Sequence, residues 1–158
     1  MVRATATHPR KFARLSFADG EIIVSPRDRD IFLINAEKAT ESCRNAVRLD
    51  RRIERFELEL LTPLHDWCSA NAAKVRACYI PIPGRQIQVF VVTRSQRFDF
   101  EFAEKVAELE LQIASFGWRI GISQLPDADD GSLAAFFNPD GALEVYAESG
   151  STPDQGGA

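Results

Sequence analysis

The sequence predicts an α+β domain, a two-layer sandwich in which an N-terminal β-hairpin and a long helical stretch precede a β-β-α-β core. Three observations carry that prediction. Asp19-Gly20 separates two short runs whose apolar residues alternate. From Ala36 to Asn71 apolar residues recur at three- and four-residue steps, the helical period. After Asn71 the pattern becomes β-rich, interrupted by one strongly amphipathic segment, Phe98 to Phe116.

The chain has 158 residues, 45% hydrophobic and 27% charged, values that suit one ordinary globular domain able to bury its own core. Its formal charge of -4 and pI near 5.2 provide no overall field toward nucleic acid or anionic lipid. No apolar run approaches the roughly 20 residues that span a bilayer. Residues 1–11 read as a disordered basic tail without the apolar segment of a secretory signal, and 148–158 as a second disordered tail. Between them lies a single domain, 12–147, divided into a hairpin (12–25), a helical arm (26–73) and the β-β-α-β core (75–147). Cysteine is odd in number and scattered (Cys43, Cys68, Cys78), which argues against a disulfide framework and for a reducing, cytoplasmic setting.

In order, Ala13–Phe17 and Glu21–Val24 form the hairpin, with Asp19-Gly20 as a type I′ turn. That register sets Phe17 opposite Ile22 and Leu15 opposite Val24, all four on one face. Ser25-Pro26 suits a helix start, serine as N-cap and proline in the first turn. Along 36–71 the apolar stripe comprises Cys43, Val47, Leu49, Ile53, Phe56, Leu60, Leu64 and Trp67. Pro63 predicts a kink or break near Leu60–Thr62. Unbroken, the stretch would measure about 50 Å against a radius of gyration of about 15 Å for such a domain. It therefore either breaks and folds back or projects toward a partner.

Val75–Ile82 and Gln86–Thr93 read as a second hairpin across Pro83-Gly84. Asp99 suits the cap of the 98–116 helix, whose stripe is Phe102, Val106, Leu109, Ile113 and Phe116, and Gly117 closes it. Trp118–Leu125 is a strand, Ser132–Phe137 a short helix, Asn138–Gly141 a turn, and Leu143–Tyr146 an edge strand.

Chemical motifs are few. His65 and Cys68 are three apart on a helix and Cys78 opens the next strand, a spacing that could bring a thiol to an imidazole. No second ligand pair accompanies them, so buried thiols and a polar rim are the favoured reading. Asp127, Asp129, Asp130 and Gly131 lack calcium-loop spacing. Glu101, Glu104, Glu108 and Glu110 read as a solvated helix face, and strand 86–93 has no carboxylate for a nuclease-type metal site. Neither a phosphate-cradling glycine loop nor a nucleophile elbow is present. No catalytic residue, metal or cofactor is assigned.

One charged pattern rises above background. Arg44, Arg48, Arg51 and Arg55 fall within an arc of about 60° on an ideal helix. Such a row could meet phosphates or an acidic protein surface, although a solvated back face with Glu41 and Glu59 at its ends is the simpler reading. The sequence thus points to a non-catalytic interaction module, self-associating or a small subunit of a larger assembly. Expected partner contacts are Arg44, Arg48, Arg51, Arg55, Ile53, Phe56 and Leu60, with the hairpin 13–24. The partner is a protein or a second copy, with no membrane; nucleic-acid association, disfavoured by the acidic pI, is the first alternative and a thiol-dependent enzyme the second.

Overall fold

The computed structural model describes residues 12–42, 49–82, 86–138 and 141–148. Arg44, Arg48, Cys43, Val47, the Pro83-Gly84 turn, residues 1–11 and most of 148–158 lie outside them. The architecture is α+β: one mixed six-stranded sheet, ordered β2-β1-β6-β3-β4-β5, with the longer helices on one face.

The hairpin forms as its pattern dictates. Strands β1 (Phe12–Ala18) and β2 (Glu21–Val24) pair antiparallel with Leu15 opposite Val24 and Phe17 opposite Ile22. Asp19 (φ 51°) and Gly20 (φ 78°) are both left-handed, as a type I′ turn demands. The helix after it starts later than Ser25-Pro26 predicts. The Ser25 hydroxyl donates to the Asp28 carboxylate at 2.7 Å, residues 26–28 form a turn, and α1 runs Arg29–Ser42.

The arm is not one rod. It continues as α2 (Leu49–Phe56), a π-helical turn (Glu57–Leu61) and α3 (Thr62–Ala70). Pro63 has no N–H to give a carbonyl four residues back, and its ring crowds that carbonyl. The widened π turn absorbs the mismatch, with the Thr62 N–H donating to the Glu57 carbonyl. The same widening turns two successive residues, Leu60 and Leu61, into the core. Both α1 and α3 touch β6 (Ala142–Ala147). The arm therefore lies on the sheet: Phe32, Ala36, Phe56, Leu60 and Leu64 share one buried cluster with strand residues.

Strands β3 (Val75–Ile80) and β4 (Ile87–Thr93) pair antiparallel, then α4 (Phe100–Ala114) crosses to β5 (Ile120–Leu125), parallel to β4. Asp99 caps α4 by accepting from the Phe102 N–H at 3.0 Å. Phe102, Val106, Leu109 and Ile113 are buried, as the stripe predicts. Phe116 is not: α4 ends at Ala114, and the chain reverses at Gly117 (φ 94°) with Phe116 outside.

The predicted edge strand is central. β6 lies between β1, parallel to it, and β3, antiparallel. Its Ala142, Leu143 and Val145 are buried because both sheet faces cover them. The second face is covered in part by α5 (Asp130–Leu133) and the turn after it, which stack Phe137 on Phe90 at 5.4 Å and beside Tyr79. Glu148 belongs to the folded unit: its N–H donates to the Arg76 carbonyl and its carboxylate pairs with Arg94. Among the described residues no helix is long and apolar enough to cross a membrane.

Candidate interaction face

The two edges of the sheet differ. At β5 the outward Ile122 N–H donates to the Glu110 carboxylate of α4 at 2.8 Å, so a side chain obstructs that edge at its middle. At β2 no described side chain does so. A two-residue turn makes Ala18 and Glu21 the hydrogen-bonded pair that ends the hairpin, and pair types alternate from there. Ile23 therefore turns its N–H and C=O toward Ser16, while Ile22 and Val24 turn theirs outward.

Beside this edge the arm overhangs the sheet and leaves a groove. One part, of about 270 Å³, is lined by Ile22, Val24, Phe32, Leu33 and Ile53 with Arg29 and Glu57 at its rim. It continues past Ile22 into a more polar part of about 310 Å³ bordered by Glu21, Glu54, Glu57, Leu58 and Thr62. Leu58 is 58% exposed, and Ile23, on the other sheet face, is 50% exposed. Burial first and the neighbouring Glu54 second hold the Glu57 carboxyl above the ordinary glutamate range.

The sequence-predicted contacts divide. Ile53 lines the groove. Phe56 and Leu60 do not reach the surface: both are fully buried in the chain's own core, Phe56 edge-on to Trp118 at 6.1 Å. The apolar stripe alone could not say which of its residues the sheet would cover. Arg51 is exposed. Arg55 is engaged within the chain. It donates to Glu59 through Nε and Nη2 at 2.8–3.1 Å and to the Phe116 carbonyl at 3.0 Å, and lies 5.6 Å from the centre of the Trp118 ring. Glu59 also accepts from the Trp118 indole N–H at 3.0 Å. Arg55's own hydrogen bonds to Glu59, and then the Glu59 charge, raise the Arg55 pKa further.

Residues proposed for thiol chemistry are brought partly together. Cys68 and Cys78 are buried free cysteines in mutual contact, and the hydrogen bond between them, with burial, pushes the Cys78 thiol well up. A nucleophilic thiol needs the opposite shift. His65 is turned to the hairpin instead, stacked on Phe17 with ring centres 3.8 Å apart. On the second sheet face, burial and then Glu144 and Asp130 push the Tyr79 phenol up to about 12. Asp129, in the acidic loop, caps α5 by accepting from the Ser132 N–H at 2.7 Å. Among the described residues no group of three His, Cys, Asp or Glu side chains could hold a metal ion.

Two residues that matter here were invisible as such in the sequence: Glu110 and Glu59 both read as ordinary helix-surface acids. Comparison of the chain with family models, curated proteins and solved structures finds no match in any of the three.

Proposed function

We propose that this chain is a non-catalytic protein-interaction module, self-associating or a small subunit of a larger assembly, whose docking face is the β2 edge with the groove beside it. One observation supports the reading: at β5 a Glu110 carboxylate takes the outward Ile122 N–H, whereas among the described residues no side chain does the same at β2, which lies next to an apolar groove. Backbone donors and acceptors at an open edge are the ordinary template for a second chain's strand. The alternatives have less behind them. Arg55 is consumed inside the molecule, which weakens a phosphate-gripping row, and the Cys78 thiol is shifted away from reactivity. Two buried free thiols fit the cytoplasmic setting read from the sequence.

A photo-crosslinking residue in place of Leu58, irradiated in cells producing the chain, tests this reading. Discrete crosslinked species are expected there and not from the same residue placed at Glu108, on the exposed face of α4. Identical patterns from the two positions would defeat it.

A further inference from the structure

We propose that the partner at β2 is a second copy of this chain, joined by antiparallel β2–β2 pairing about a two-fold axis at Ile23. The proposal rests on reading the β2 edge as the docking face, and names its occupant.

The outward groups are self-complementary in one register. Ile22 and Val24 each offer one N–H and one C=O. With Ile22 opposite Val24 of the second copy, both symmetric pairs are of the hydrogen-bonded kind. Each exchanges two bonds, and the sheet continues across the axis. The two Ile23 residues then face each other as a non-hydrogen-bonded pair with Cα atoms about 4.5 Å apart, the closer spacing. Their half-exposed side chains cover one another on the open sheet face. On the helix side, Ile22 and Val24 of each copy project beside the groove lined by Leu33 and Ile53 of the other.

Charge selects the antiparallel sense. The turn end of β2 carries exposed Asp19 and Glu21. Beyond the other end lie exposed Arg27 and Arg29 with a single exposed acid, Asp30, since Asp28 is buried. Antiparallel pairing brings the turn end of one β2, with Asp19 and Glu21, beside the far end of the other, beyond which the chain turns with Arg27 and Arg29 exposed. Parallel pairing would set acid against acid and base against base. A β2–β2 contact uses the same edge of both copies, so it pairs once about a two-fold and stops as a dimer, and Glu110 on the outward Ile122 N–H obstructs further growth at β5.

The test is charge exchange read by light scattering after size exclusion. Wild-type chain should show twice the 17.6 kDa of one copy at high concentration. Glu21→Arg and Arg27→Glu, both on exposed side chains, should each weaken the dimer roughly tenfold while leaving the circular dichroism melt in place. An equimolar mixture of the two variants should recover wild-type association. In the mixed dimer the arginine introduced by Glu21→Arg meets the glutamate introduced by Arg27→Glu, and the unaltered Glu21 of one copy meets the unaltered Arg27 of the other. A mixture that stays as weak as its components would overturn the proposal. So would wild-type chain that remains at 17.6 kDa throughout. If that monomer still gives discrete Leu58 crosslinks, self-pairing alone has failed; if those are absent too, the interaction reading has failed beneath it.

Discussion

Glu59→Ala should be among the most damaging substitutions of a polar side chain in this molecule. Glu59 sits in the π turn and ties it to the entry of β5 by accepting from the Trp118 indole N–H at 3.0 Å and from Arg55 at two positions. Trp118 is only 7% exposed, so loss of its acceptor strands a buried donor, at a cost of about 1–3 kcal/mol. The Arg55–Glu59 pair is partly solvated, with side chains 31% and 24% exposed, and adds at most about 1 kcal/mol. Arg55 keeps the Phe116 carbonyl and the Trp118 ring, which limits that second loss. The total is roughly 2–3 kcal/mol, and for a domain of this size Tm should fall by about 7 °C. Urea unfolding followed by tryptophan fluorescence measures it. Trp118→Phe keeps the ring and removes the N–H, so the double mutant isolates the bond, with an expected coupling of about 1 kcal/mol. A cost below about 0.5 kcal/mol for Glu59→Ala, or no coupling, would refute the assignment of Glu59 as the tie between arm and sheet.

Other consequences can be checked directly. Glu57 titrates above the ordinary glutamate range when folded, so the native state holds its proton more tightly than the unfolded chain does. Its contribution to stability is therefore lost as pH rises from the ordinary glutamate range through the raised native value. Glu57→Gln should melt higher than wild type above that window and equally below it; a difference that grows toward acid pH would contradict the sign. In a Cys43→Ser background, Cys68 and Cys78 should react with a thiol reagent only as fast as the protein unfolds, since both are fully buried. Immediate reaction in native buffer would place them elsewhere. Leu64→Ala, at a fully buried position of α3, should cost about 2–5 kcal/mol in urea unfolding, and a change under 1 kcal/mol would mean that α3 does not cover the sheet as described.

The legible parts of this fold were the local ones. Two left-handed turn residues between alternating apolar runs fix the hairpin to the residue, and the 102–113 stripe with Asp99 ahead of it fixes α4. Placement of strands was not local. Leu143–Tyr146 looks like an edge strand by length, yet β6 pairs with β1 from the opposite end of the chain. Nothing in a strand of six residues names such a neighbour. Pro63 announced a break, but whether the helix would kink or widen depended on Leu60 and Leu61 both finding room in the core. For the proposed interaction face, Ile53 and the hairpin were legible as candidates. Arg55 was indistinguishable from Arg51 until Trp118 and Phe116 came beside it, and Glu110 was one of four acids until Ile122 turned its N–H outward. Phe56 and Leu60 followed the same stripe as Ile53, and only the position of the sheet beneath them separates core from groove.

Amide hydrogen exchange across β2 as a function of protein concentration tests the central claim most directly. Glu21 and Ile23 bond to β1 and should be protected at every concentration, serving as the internal control. Ile22 and Val24 should gain protection as the chain is concentrated, in step with the rise in solution mass. If those two amides exchange at unprotected rates at all concentrations while Glu21 and Ile23 stay slow, β2 has no partner strand and the account is contradicted.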